Sequence, residues 1–246
     1  MNVWWKALVT VGTDVNSNQQ VVDICEDVEK NDIWCLVKCC VWYHPYEVVV
    51  SNIVRKDFSC RIQELFSLYS KYEEHVVAIW EMWIDLHYKN AKDSLFDQQE
   101  LLAFQCDLAL QLWLPVVIHS RDAFEETMAV LQDFPDLVTY FHCWWYDPSC
   151  LDFLFGMIDE VYVWFCGNVS YKNADNLRES LSVVPKNSLL LETDAPYLTV
   201  QSQRWKINAP AKVSLLYEYV SEFLWMEVSD LVAMVWNNFR SLYHVL

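Results

Sequence analysis

Short, almost continuously apolar runs alternate along this chain with longer segments whose apolar residues recur every third or fourth position. The apolar runs cover residues 7–12, 35–41, 76–81, 115–119, 138–142, 161–166 and 188–192. Brief runs of this kind read as strands of a buried parallel sheet, covered on both faces. Between them, residues 97–112 form a helical segment with Leu101, Phe104, Leu108 and Leu112 recurring on one face. Further helices are expected after Asn16, Asp122, Asp147 and Asn173, each a helix-capping residue or the neighbour of one. Two more, over residues 210–224 and 229–243, follow the last strand. No linker, low-complexity tract or charge block interrupts the pattern, so residues 1–246 read as one domain.

Alternating strand and helix implies an α/β fold, a parallel sheet with right-handed crossovers. Seven strands suit an open doubly wound sheet or a barrel. The open sheet ordinarily carries a glycine-rich phosphate loop after its first strand. Here that turn reads Gly12-Thr13-Asp14, with no such spacing of glycines. A TIM-like (β/α) barrel, for which ~250 residues is a common length, is the better reading.

Composition narrows the function. The formal net charge of −17 argues against a protein that coats nucleic acid by neutralising phosphates. It leaves room for an enzyme that handles one phosphodiester at a time, because bound divalent metals reverse the local charge. No apolar run approaches the ~18 residues of a membrane span, and no signal peptide opens the sequence. The nine cysteines contain no CxxC pair and read as reduced thiols of a cytoplasmic protein. No membrane partner and no obligate protein partner is expected. The chain also holds only 3 glycines against 13 tryptophans, although a fold with many loops needs residues that tolerate φ > 0.

The ionisable residues at the strand ends carry the chemistry. Glu81, His119 and His142 each end a run, and Asp194 follows the last one. In a barrel the carboxyl ends of the strands converge on one face, where active sites are built. One glutamate, two histidines and an aspartate suit Zn²⁺, Mn²⁺ or Mg²⁺ holding an activated water. Taken singly, each of these residues reads more simply as a hydrogen-bonded core group or a helix cap. Their matching positions on four strands favour the metal site.

The same residues sit inside longer strings. Leu114-Pro115-Val116-Val117-Ile118-His119-Ser120-Arg121-Asp122-Ala123 and Glu192-Thr193-Asp194-Ala195-Pro196-Tyr197-Leu198 resemble two hallmark strings of the TatD family of deoxyribonucleases. Weaker matches surround His44, Glu81, His142, Gly167 and Arg204. The resemblance covers nearly the whole chain. It implies a barrel with two divalent metals (Mg, Mn or Zn) that cleaves phosphodiesters, usually in DNA. Carried over by position, Glu81 bridges both metals, His119 and His142 ligate one, and Asp194 ligates the other and takes a proton from the attacking water. Arg204, Lys206 and Asn208 correspond to a loop near the substrate phosphate. His44 stands at the same barrel mouth, as a substrate contact or a structural residue. Asp85 and Arg121, just past ligand positions, are expected to support the ligands.

Two departures from the family stand out. Its first strand ends in a His-x-His pair that supplies two metal ligands, and this sequence has none. The expectation is therefore seven of eight strands, an N-terminal truncation and an incomplete second metal site. Secondly, Trp42, Trp80, Trp83, Trp113 and Trp205 stand where the family has glycine. Indoles beside Glu81 would crowd a metal site. A gene whose UGA codons specify glycine, translated with UGA as tryptophan, would account for both the missing glycines and the surplus tryptophans. Two other functions stay open: an ester or amide hydrolase of the wider barrel group acting on a small molecule, and a degenerate barrel retained for binding.

Overall fold

A computed structural model describes residues 7–12, 14–33, 35–41, 58–87 and 91–245. Trp42 and His44 lie outside these residues. The chain divides into two compact units, one ending at Thr139 and the other running from Tyr140 to Leu246.

In the first unit, β1 (Ala7–Val11), β2 (Leu36–Val41), β3 (Val76–Asp85) and β4 (Val116–Arg121) pair in parallel, each with its neighbour in sequence. Helix α1 (Val15–Lys30) joins β1 to β2, and α2 (Phe58–Lys71) precedes β3. Helix α3 (Leu95–Leu112) crosses from β3 to β4, and α4 (Phe124–Leu131) follows β4. Strand β5 (Thr139–Phe141) lies at the division. The second unit continues with α5 (Pro148–Met157), β6 (Val161–Phe165), α6 (Asp175–Val183) and β7 (Leu189–Leu191). Helices α7 (Val213–Phe223) and α8 (Val228–Tyr243) follow. Strands follow chain order from β1 to β7. All-parallel strands in chain order, alternating with helices, are the α/β arrangement of a TIM-like barrel.

Local chemistry explains where the elements begin. Asp14, rather than Asn16, caps α1: its carboxylate accepts from the N–H groups of Asn16 and Ser17, while the Ser17 hydroxyl accepts from the Asp14 N–H. This reciprocal pair satisfies donors that the first turn leaves open. Asp147 caps α5 by accepting from Ser149, with Pro148 in the first helical turn. Helix α2 is amphipathic, with Ile62, Leu65 and Tyr69 recurring at helical spacing and Leu65 buried.

Two boundaries differ from the sequence reading. Strand β3 runs on to Asp85 and β4 to Arg121, so Glu81 and His119 lie inside strands rather than at their ends. The buried face of α3 also differs: Leu101, Leu102, Gln105, Cys106, Leu108 and Ala109 are buried, whereas Phe104 is exposed. This helix is apolar on several sides, so the side that packs on β3 is chosen by the sheet and not by periodicity. The buried Gln98 closes the end of β3, its Oε1 accepting from the Asp85 N–H at 3.0 Å.

Candidate metal centre and its neighbours

Within the first unit, the pairing of β3 with β4 slips. Ile79 pairs with Val116 and Met82 with Ile118, so three steps along β3 match two along β4. The extra residue is a bulge, a feature that re-aims side chains, and Glu81 lies inside it. Its Oε1 comes 2.8 Å from Nδ1 of His119, and both side chains are 14% exposed. A carboxylate and an imidazole in contact, mostly shielded from water but not sealed, form a donor pair that fits a divalent metal. The Trp83 ring lies against the same imidazole, with centroids 4.7 Å apart. An indole therefore does occupy space beside the expected ligand. Trp80 is buried. Asp85 is buried too, and its carboxylate accepts from the His87 N–H at 2.7 Å. Arg121 is its register partner on β4.

The second unit places the other expected residues. His142 is buried one residue past β5, and its Nδ1 lies 3.1 Å from Oε1 of Glu192. The same carboxylate oxygen accepts from the Cys143 N–H at 2.8 Å and the Cys166 thiol at 3.1 Å. Burial pushes both the Cys143 and Cys166 thiols upward in pKa, Cys166 most strongly. Glu192 received no role in the sequence reading. A signal was available, since a carboxylate directly after a fully apolar strand must find donors if it is buried.

Asp194 follows Glu192 by two residues, half-buried at φ 50°. Its loop is tied down by Asn208, which is itself buried: the side-chain amide donates to the carbonyls of Thr193 at 2.8 Å and Tyr197 at 2.6 Å. Arg204 stacks its guanidinium over Tyr171, 4.2 Å from the ring centroid, and over Trp205 at 5.2 Å. Lys206 is exposed. Close backbone approach shapes this region as well. A Cβ on Gly167 would stand 2.2 Å from the Leu198 carbonyl oxygen, so only glycine fits there. The first unit thus brings Glu81 and His119 together. The second sets His142 on Glu192 and Asn208 beneath the Asp194 loop.

Fold and strand order place the chain among the (β/α)-barrel proteins with candidate metal ligands on their strands. A family model described as "TatD related DNase" matches residues 2–244. The chain belongs to this TatD family. The metal-dependent hydrolase YcfH of Escherichia coli (strain K12) is 33% identical over 175 residues, which are 70% of this chain and 64% of that protein. The match therefore spans just under two thirds of that relative's length. The metal-dependent hydrolase YabD of Bacillus subtilis (strain 168) is 28% identical over 245 residues, covering 97% of this chain and 87% of the relative. Among solved structures, YJJV, a TatD homolog from Escherichia coli K12, superposes with a TM-score of 0.83 at 20% identity, covering 98% of this chain and 87% of that one.

Proposed function

We propose that this protein is a divalent-metal-dependent hydrolase that cleaves phosphodiester bonds, acting on DNA as a deoxyribonuclease. The observation that carries the reading is the approach of Glu81 to His119 at the bulge between β3 and β4. Placed on a chain of the TatD family, this pair is the core of a metal centre. Glu81 and His119 offer the first two ligand atoms, and by correspondence with the TatD family His142 and Asp194 would add an imidazole and a carboxylate. The set is hard to borderline in character and suits Mg²⁺, Mn²⁺ or Zn²⁺.

A bound divalent metal would lower the pKa of a water and stabilise charge on a phosphoryl oxygen. The chain's own residues do the rest. Asp194 accepts the proton released by the attacking water. Arg204 offers a guanidinium that can meet a phosphate through two parallel N–H donors, and Tyr171 holds its plane. Lys206 adds an exposed positive charge to the same loop. Asn208 keeps that loop attached to the Asp194 turn. The net charge of −17 favours a substrate bound locally at metal and loop over one wrapped along the surface. A cytoplasmic location belongs to the same proposal and is supported by nine free cysteines.

The test is a panel of single-stranded DNA, RNA and simple esters and amides, offered to chelator-stripped protein with Mg²⁺, Mn²⁺ or Zn²⁺ added back. Metal-restored release of nucleotides from DNA is the expected result. Turnover of esters or amides alone would replace the nuclease reading with a small-molecule hydrolase. Failure of every metal to bind would leave a barrel kept for binding.

A further inference from the structure

We propose that Glu192 is the positioning residue for His142, fixing its tautomer and its ring orientation so that Nε2 is the nitrogen left to meet a metal. This rests on reading His142 as a ligand. An ionised carboxylate only accepts hydrogen bonds, so its 3.1 Å contact with Nδ1 needs a proton on that nitrogen. In the neutral ring the lone pair then lies on Nε2. The carboxylate is held in turn: the Cys143 N–H comes from the residue after His142, and the Cys166 thiol from the residue after β6. The three donors approach one oxygen, which locks the carboxylate between β5, β6 and β7. A buried acid with this support acts as a fixed acceptor, the arrangement that orients ligating histidines and raises their basicity.

Two readouts test it. Side-chain ¹⁵N NMR of the metal-free protein is expected to show His142 protonated at Nδ1. Titration with Mn²⁺ alone is expected to give ~10–100-fold weaker binding for Glu192→Gln than for the unsubstituted chain. A proton on Nε2, or unchanged Mn²⁺ affinity in the folded variant, overturns the proposal. If the unsubstituted chain binds no Mn²⁺, the proposed function fails instead, and the tautomer still decides this inference. If Glu192→Gln does not fold, the NMR result on the unsubstituted chain decides.

A separate observation concerns three tryptophans. Trp113 follows α3 at φ 57° and ψ 35°, and the next residue's N–H donates back to the Ala109 carbonyl at 3.0 Å. Trp225 stands just past α7 at φ 53°, and the Met226 N–H donates to the Ser221 carbonyl at 2.9 Å. Both are helix ends closed by a six-to-one hydrogen bond around a left-handed residue, the position where glycine is usual. Trp205, at φ 79°, is the third residue of a turn that begins at Gln203. Arg204 precedes it at φ −51° and ψ 138°, and the Lys206 N–H closes the turn on the Gln203 carbonyl at 3.0 Å. That is a type II turn, which requires φ > 0 at its third residue and favours glycine there.

These side chains are 90%, 96% and 91% exposed for Trp113, Trp225 and Trp205, so packing offsets little of the left-handed strain. None of the three glycines has positive φ. The geometry points to glycine at positions 113, 205 and 225 of the natural polypeptide, with UGA codons there read as glycine in the cell. Mass spectrometry of the protein purified from its own cells tests this directly. The expected result is glycine in the peptides that span positions 113, 205 and 225, and an intact mass below that of the thirteen-tryptophan chain by at least three tryptophan-to-glycine differences. An intact mass matching thirteen tryptophans overturns it. So does a TGG codon at any of the three positions. In recombinant protein, combined Trp113→Gly, Trp205→Gly and Trp225→Gly should raise the urea midpoint, and a fall would contradict the conformational argument.

Discussion

Glu81 reaches His119 because β3 carries one more residue than β4 between two consecutive register points, and the bulge aims the carboxylate at the imidazole 2.8 Å away. Without the bulge, the strict alternation of side chains along a strand would fix which residues face His119. The pair predicts shared behaviour. His119→Ala and Glu81→Gln should each lower metal-dependent turnover by at least about 100-fold, equivalent to ~2.7 kcal/mol of transition-state stabilisation. Saturating metal should raise the melting temperature of the unsubstituted chain and of neither variant, since only binding to the folded state stabilises. Thermal melts with and without Mn²⁺ check this, and an equal shift in all three proteins would remove the pair from the metal centre.

Asn208 donates to two carbonyls that flank the Asp194 turn. Asn208→Ala leaves both acceptors without this partner in a buried place, at a cost of about 1–3 kcal/mol for each acceptor left unsatisfied. Urea unfolding should show a loss of unfolding free energy of that order, seen as a lower midpoint. If Asn208 acts only by touching substrate, stability will be unchanged and KM alone will rise.

Arg204 stacks its guanidinium over the Tyr171 ring and is half-buried. Under the proposed function, Arg204→Ala should raise KM for a DNA oligonucleotide more than it lowers kcat. It should also reduce the salt dependence of binding by about one phosphate contact. Lysine should not restore it, because a point charge lacks the planar fork. Binding isotherms at several salt concentrations separate these outcomes.

Burial raises the pKa of the Cys106, Cys143 and Cys166 thiols above the ordinary value of 9.0. The folded state therefore holds these protons more tightly than the unfolded state. Their contribution to stability is complete below about pH 9 and is lost as pH rises towards the folded values, by up to about 1.4 kcal/mol per pH unit for each thiol. Urea melts between pH 7 and 10 should show stability falling at the alkaline end. A thiol reagent at pH 8 should label the exposed Cys60 quickly and these three only after unfolding. Prompt labelling of Cys166 would contradict its burial.

Much of the architecture was legible in the chain. All seven strands fall within a few residues of the apolar runs, because a parallel strand buried on both faces must be apolar throughout. Asp147 was readable as a cap from its type and place alone. The strings around His119 and Asp194 carry family membership, and Glu81 and His119 could be singled out as ionisable groups where only apolar residues belong. Helix α2 was missed although Ile62, Leu65 and Tyr69 recur in it at helical spacing, and the face of α3 was misassigned to include Phe104 because α3 carries apolar residues on several sides.

Sequence by itself determined the order of elements, their α/β class and the residue types available for a metal, because these follow from local patterns a few residues long. Tertiary structure decided three things that span long separations. It decided that Glu81 turns toward His119, which depends on counting residues across two strands at once. It decided that Glu192 belongs with His142, 50 residues away, since a buried carboxylate takes whichever donors the folded chain brings to it. And it decided which tryptophans stand in left-handed turns, because φ is set by how a helix end or turn closes on itself and not by the residue that happens to occupy it.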